Sequence, residues 1–491
     1  MSSFATFWTQ HPALLYGLAF AFGISLALEH FWILVPMIIM GITLIQCPYR
    51  LALFSLVIVS AICFFQLTTK LPPDEPIEGT AQIRLSSVKP YHTAFRKGSI
   101  IQGTLVSFVP RNSSKPIAQN IPFSLKTGPS CPKANCDYII RATLRHRNYL
   151  FPKKGVPWQS VPNTWSLAEW RFQNKQALRH FIDKQMAHPK AASFLSGMAT
   201  GLFDDNTLYS ELSRFGLQHI MAISGFHFAL VALILSFGLN CFLPEKKASI
   251  ALVALMTLYF IFLGASPSIL RAWIMATVYF LGKILEKQSK ALNSLGAALI
   301  VVLVIDPLTL TTIGFQFSFL VTSSILLFTA PIESSLRIVL KKRPLSELIH
   351  MNLINQHGYL AVNALRQILA LTLSVQIVVI PLALYWFQKF PVMSLLYNTF
   401  FPFLASLSLV LLLIGLGAPF AGFIHTINSY FTDWMLNLAY RLPMSLDIWI
   451  RVQEIPLSLL VVYLCGLFAG GIYIKIIYSE AQRERSELAY L

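Results

Sequence analysis

A chain that repeatedly runs for about twenty residues with almost no charge can fold in few ways, because lipid leaves every backbone polar group to be satisfied inside the segment. Such apolar runs fall at about 12–28, 31–47 and 51–68. After a polar gap they resume at about 213–237, 248–265, 268–285, 292–305, 311–331, 360–387, 392–419, 422–440 and 456–478. That pattern predicts a polytopic α-helical membrane protein of about 12 spans, with 292–305 short enough to be tilted or re-entrant. Composition excludes an ordinary soluble domain: 55% of residues are hydrophobic, 12% are charged and the mean hydropathy is +0.62. The first run lacks a basic n-region and a small-residue cleavage site, which predicts a retained helix rather than a removed signal peptide.

Basic residues in short connections predict the orientation. Arg50, Lys246, Lys247, Lys283, Lys287, Lys290, Lys341, Lys342, Arg343, Arg483 and Arg485 all fall on one side if twelve spans start from a cytoplasmic N-terminus. Both termini are then cytoplasmic, and residues 70–212 lie outside. This outer segment concentrates charge: Lys70 to Lys190 holds 19 Lys and Arg against 6 Asp and Glu, a balance of +13 within a whole-chain +17. The positive-inside tendency acts on short loops, so this basicity needs another origin. Nucleic acid, anionic lipid and lipopolysaccharide phosphate all suit it, and so does a merely solvated basic surface.

The period of the sequence changes inside this segment. Ile77–Leu85, Ser99–Val109, Ile121–Lys126 and Asp137–Leu144 are short, partly alternating and separated by Pro, Gly, Asn and Ser. Four or five such strands predict an inserted small β-barrel or sandwich, OB-like in size. Leu167, Trp170, Leu178, Phe181, Ile182 and Met186 then follow helical spacing among Arg171, Lys175, Arg179 and Lys184. They predict a basic amphipathic helix on the outer membrane face, or one packed on the barrel. Cys131 and Cys136 lie in the same external segment, where an oxidising compartment would let them bridge, and no further ligands of metal spacing stand nearby.

Costly polar groups sit inside the apolar runs. Residues 216–227 read Gly-Leu-Gln-His-Ile-Met-Ala-Ile-Ser-Gly-Phe-His, which places His219, Ser224, Gly225 and His227 at the head of a span. Arg271 follows Gly264-Ala-Ser-Pro-Ser-Ile-Leu, and a charge near the bilayer centre costs roughly 2.5–3.5 kcal/mol on insertion scales. Gln316 and Ser318, then Ser374 and Gln376, then Asn398 add polar groups on further spans. Singly each reads as interhelical glue; together they predict a shared polar interior.

In this order the motifs resemble the ComEC family of competence proteins, the inner-membrane channels through which transforming DNA enters bacteria. Phe194–Gly201 is similar to the lead-in of that family, and Phe215–His227 to its Gly-x-x-His, Ile-Ser-Gly and second His. Ser266–Met275, Gly314–Phe319 and Ser374–Pro381 with Asn398 follow in the same order, so the resemblance covers about residues 190–415. It implies uptake of single-stranded DNA, and with neither a nuclease motif nor a nucleotide-binding loop in the sequence no enzymatic activity, cofactor or metal is expected. His219, Ser224, Gly225, His227, Arg271, Gln316, Ser318, Gln376 and Asn398 would line the path. Many members continue into a metallo-β-lactamase-like domain with a His-x-His-x-Asp-His motif, which is missing up to Leu491. A nuclease, a DNA receptor and a cytoplasmic motor are then expected as separate partners beside the bilayer, and a homodimer is compatible.

The expected organisation is a three-helix start at 1–69, a basic β domain at 70–160, linker helices at 161–212, the competence membrane domain at 213–480 and a tail at 481–491. External capture would use Lys and Arg, with Tyr91, Phe95, Phe108 and Tyr149 as stacking platforms. Absence of Gly-x-x-x-x-Gly-Lys-Ser/Thr leaves the driving force elsewhere. Two other classes use similar residues. A transporter of lipid or another anionic solute would also need intramembrane polar groups. A rhomboid-type serine protease would use Ser224-Gly225, yet the preceding Gly of its motif is missing and no histidine has the matching context.

Overall fold

The computed structural model describes residues 2–72, 75–92, 97–127, 133–145, 149–153, 155–203, 205–221, 225–287, 290–341, 343, 347–348, 350–417, 422–440 and 448–489. Each apolar run becomes helical, since only intrasegment hydrogen bonding satisfies a backbone in lipid. The N-terminal part holds α1 (Ser2–Gln10), α2 (Pro12–Ala27), α3 (Leu34–Leu44) and α4 (Pro48–Thr68). Between α4 and the later helices lie the sheet and then α5 (Ala168–Gln185), α6 (Pro189–Thr200) and α7 (Asn206–Arg214). The membrane part continues with α8 (Gly225–Phe242), α9 (Glu245–Leu263), α10 (Pro267–Ile284), α11 (Ala291–Ile305) and α12 (Ile313–Leu336). It ends with α13 (Leu353–Phe387), α14 (Ser394–Gly417), α15 (Gly422–Tyr440) and α16 (Leu457–Ala489).

Among the described residues, seven helices are long and apolar enough to cross a bilayer: α4, α8, α9, α12, α13, α14 and α16. The segments Pro12–Ala27, Phe31–Leu44 and Ala291–Ile305 are apolar but shorter. Seven is fewer than the twelve runs of the sequence because several helices are short and others, such as α10 with Arg271 and Lys283, are diluted by polar residues. The expected helix at 213–237 is also divided. Asp205 caps α7 through the amides of Thr207 and Leu208, and Gly216 at φ +67° turns the chain out of that helix. A 3-10 turn at Gln218–Ile220 follows, and α8 is described from Gly225.

The sheet is curled. Strands β1 (Ile77–His92), β2 (Lys97–Pro110), β3 (Ala118–Thr127), β4 (Tyr138–Arg145) and β5 (Tyr149–Pro152) pair in the order β1-β2-β3-β5-β4, and β4 pairs back onto β1. Pairing is antiparallel except between β3 and β5. Irregular register at Gln82/Ile83 and Leu85/Ser87 bends the long β1, as bulges do. A short β6 (Gln159–Ser160) edges β4. Alternation fills the inside with Ile83, Leu85, Ile101, Leu105, Phe108, Ile121, Phe123, Leu125, Ile140 and Leu144. That core runs on into Ile24, Ala61, Phe65, Leu270 and Leu299 of the helices, so sheet and bundle share one apolar cluster. Phe108 is wholly buried there and cannot be a stacking platform. Phe95 and the side chains of Tyr91 and Tyr149 lie outside the described residues.

Tight approach of backbones holds the bundle. A side-chain carbon on Gly17 of α2 would stand 2.7 Å from the Gly296 carbonyl of α11, and one on Gly296 would stand 2.3 Å from the backbone of Ala13. Helix contacts of this kind give van der Waals packing where lipid supplies no hydrophobic drive. Polar glue is concentrated between α14 and α15, where Ser408, Asn428 and Thr432 satisfy one another in a fully buried network. A second network joins α12 to α13: Arg366, only 1% exposed, donates to Glu333 Oε1 at 2.8 Å and to the Leu340 carbonyl at 2.9 Å.

Candidate functional site

The break between α7 and α8 brings the selected residues together. Phe215 stacks on Tyr397 of α14 with centroids 4.7 Å apart, and Gly216 stands where a side-chain carbon would meet Ser394 Cβ at 2.7 Å. Held there, the chain places His219 in the 3-10 turn with its Nδ1 3.0 Å from the Gly216 carbonyl. His219 is solvent-accessible on this turn. His227, two residues into α8, is 6% exposed and lies within electrostatic reach of His219. Irregular backbone at membrane depth is tolerated where protein buries it or where it lines a polar cavity.

Arg271 lies against the start of α8. It projects from α10 onto the first residue of α8, where a carbon added to Gly225 would stand 2.6 Å from Arg271 Nη2. Only a bare glycine lets the guanidinium sit there. Arg271 is 8% exposed, its Nε has no hydrogen-bond partner, and among the described residues no carboxylate pairs with it. A buried cation in this state is costly, and intramembrane cations that persist face a cavity or a partner. Ser224 lies outside the described residues, so its position relative to these groups is not part of the geometry.

The remaining selected residues divide into two places. Asn398 lies on α14 one residue beyond Tyr397, and its buried Oδ1 has no partner. Gln316, Ser318 and Gln376 lie on the α12 and α13 pair. Gln316 accepts from Trp386 Nε1 at 3.0 Å and donates to the Leu310 carbonyl at 3.4 Å, which makes it an interhelical tie. Ser318 Oγ and the Oε1 of the 4% exposed Gln376 are buried without partners. Helix α10 packs against both α8 and α12 and is the element between the two places. Ten buried side-chain atoms are left unpaired among the described residues, and Arg271, Ser318, Gln376 and Asn398 supply four of them. Such orphans are rare in native proteins, and the other six include Asp137 beside β4.

Sequence reasoning missed Arg171 and Lys175. The helix was expected on the outer membrane face or packed on the barrel; it packs on β1, and both basic side chains turn onto the end of α9. The signal was present: Arg171, Lys175, Leu178 and Ile182 recur at four, seven and eleven residues on one stripe, and Ile182 is fully buried. Of the candidate disulfide, Cys136 is half-buried against the sheet core and Cys131 lies outside the described residues. No group of three or more His, Cys, Asp or Glu able to hold a metal occurs among the described residues.

Fold and site together define a polytopic helical membrane protein with a polar cluster at an interrupted helix. The sequence model of the Competence protein family matches residues 203–476, more than half of the chain, and the chain belongs to that family. It is 24% identical over 262 residues to ComE operon protein 3 of Bacillus subtilis (strain 168), a match covering 52% of this chain and 30% of that protein. The matched part therefore spans less than a third of the relative's length. No solved structure matches the chain.

Proposed function

We propose that this protein forms the membrane path for single-stranded DNA during competence. The observation that carries the reading is the Arg271 guanidinium, buried against Gly225 with no carboxylate partner among the described residues, in a member of a competence family. A strand with a negative phosphate at every nucleotide crosses only where donors and cations replace water. Arg271, His219 and His227 would meet phosphate oxygens, Gly225 would let backbone approach the strand, and Asn398, Ser318 and Gln376 would continue the donor lining. Gln316, already paired with Trp386, would help fix α12 to α13.

The curled sheet supports the external half of this reading. Its circuit β1-β2-β3-β5-β4, with β3 and β5 parallel, suits an OB-like barrel, a fold that binds oligonucleotides. Arg84, Arg141 and Arg145 are exposed on it, and Arg145 lies 5.4 Å above the half-exposed ring of Phe151, a cation and aromatic platform for a flexible strand. The protein would sit in the cytoplasmic membrane with this domain outside and both termini inside. A receptor and a motor would come from separate proteins.

The test separates lining from catalysis. Arg271→Leu should leave the protein in the membrane and surface DNA binding intact while abolishing DNA import, because leucine removes the cation without an insertion cost. Ser224→Ala should be mild, since a lining hydroxyl is one donor among several. Normal import with Arg271→Leu, measured apart from surface binding, would sink the reading. Total loss with a correctly inserted Ser224→Ala would favour a nucleophile instead.

A further inference from the structure

Arg171 and Lys175 stand one turn apart on α5, and both end on the last carbonyls of α9. Arg171 Nε donates to the Ile261 carbonyl at 2.6 Å and Lys175 Nζ to the Leu263 carbonyl at 2.8 Å. A helix leaves its last four carbonyls unpaired, and its dipole favours cations at that end. The Lys175 ammonium also lies 5.9 Å from the centroid of Phe262. From the other side of its guanidinium, Arg171 Nη1 reaches the Ser86 carbonyl of β1 at 3.4 Å. Two side chains thus tie the sheet, α5 and the end of α9 to one another.

Beyond that end comes the turn that leads to Arg271. Gly264 takes φ +95°, which residues with a side chain rarely adopt, and its missing side-chain carbon would stand 3.9 Å from Arg171 Cδ. Ser266 then opens α10, its carbonyl accepting from Leu270 N, and Arg271 is the fifth residue of that helix. Helices α9 and α10 are braced as a hairpin: Trp273 stacks on Phe260 at 4.7 Å and donates from Nε1 to Thr257 at 3.1 Å. The α9 terminus and Arg271 thus belong to one braced hairpin.

We infer that Arg171 and Lys175 are positioning residues, which hold the α9–α10 turn against the sheet domain and so set where Arg271 stands. The structural half stands on the contacts alone, and the functional half rests on the DNA-path reading. The clamp would make the external domain and the intramembrane site one mechanical unit. Its members face no carboxylate among the described residues: Lys89 of β1 and Arg171 approach Lys175 as like charges, while α9 offers carbonyls and the Phe262 ring. Like charges are gathered here at a cost, which the capped carbonyls offset.

The full-length protein in lipid nanodiscs tests this by hydrogen exchange on the peptide covering 260–271, combined with cellular assays of surface DNA binding and import. The double variant Arg171→Gln with Lys175→Gln should speed exchange in that peptide while leaving peptides from 118–127 unchanged. Surface binding should persist and import should fall about tenfold or more, within the usual range of coupling between sites. Lys175→Arg, which keeps a cation and its donors, should stay close to the parent in both assays. If the double variant inserts poorly, Lys175→Gln alone, with its shorter donor, gives the same comparison in milder form. Unchanged exchange at 260–271 would overturn the clamp, and a loosened turn with undiminished import would overturn its positioning role. Arg271→Leu, run alongside, tells these failures from failure of the DNA-path reading, because only the latter leaves that variant importing normally.

Discussion

Gly225 and Lys175 show how much depends on single atoms at this site. A methyl at position 225 would stand 2.6 Å from Arg271 Nη2, the far end of a flexible side chain. Gly225→Ala should therefore insert and fold, because the guanidinium can withdraw, but it should import DNA poorly because the cation has left its place. Import equal to the parent, at equal protein in the membrane, would show that the placement of Arg271 is immaterial. Lys175 makes a prediction in pH. Burial, then Arg171, then Lys89 push its ammonium from the ordinary 10.5 down to about 8. Below about pH 8 the lysine is charged in both folded and unfolded chains, and the cost of burying that charge is constant. Between about 8 and 10.5 the unfolded chain binds more protons, so stability rises with pH, by at most on the order of 3 kcal/mol. Thermal unfolding of the purified protein from about pH 7.5 to about pH 9.5 should show this rise, and Lys175→Met should flatten it. A parent curve that falls over this range, or one that Lys175→Met leaves unaltered, would refute the assignment.

At the scale of elements, α2 and α11 cross where neither helix can accept a side chain. A methyl on Gly296 would stand 2.3 Å from the Ala13 carbonyl and the Leu14 amide, both backbone atoms that cannot rotate away. Gly296→Ala should lower the melting temperature of the solubilised protein and reduce its level in the membrane, whereas Gly314→Ala, with open space around it, should do neither. Equal losses for both would mean that the crossing contributes nothing special. Apolar runs and alternating strands were legible because burial against lipid or a sheet core imposes a period on the sequence. The break before α8 was not: residues 213–237 are apolar enough to read as one helix, and only Gly216 and Asp205 hint at the reversal. Polarity alone found Arg271, His227, Gln376 and Asn398, because ionisable and amide groups in apolar runs are conspicuous. Arg171 and Lys175 escaped, since a basic residue on a surface helix looks solvated until the partner carbonyls of a helix ninety residues away are known.

For the whole molecule the decisive feature is where its charge lies. A balance of +13 sits between Lys70 and Lys190, and only +4 remains for the membrane helices and the tail. A field of this kind would draw a polyanion to the sheet domain without sequence preference, while the proposed path past Arg271 would hold few phosphates at once. Capture and passage should therefore respond differently to salt. Binding of single-stranded DNA by the intact protein in nanodiscs should weaken along a log-log line with a slope of about −0.7 for each phosphate neutralised. Replacing Arg141, Arg145 and Lys153 together by glutamine should make that slope shallower by about two units if those three contacts are real. Arg271→Leu should leave the slope unchanged, because its cation is buried beyond the reach of surface-bound DNA. An unaltered slope in the triple variant would move capture to another face of the sheet domain, and absence of binding at low salt would remove that domain from the DNA path.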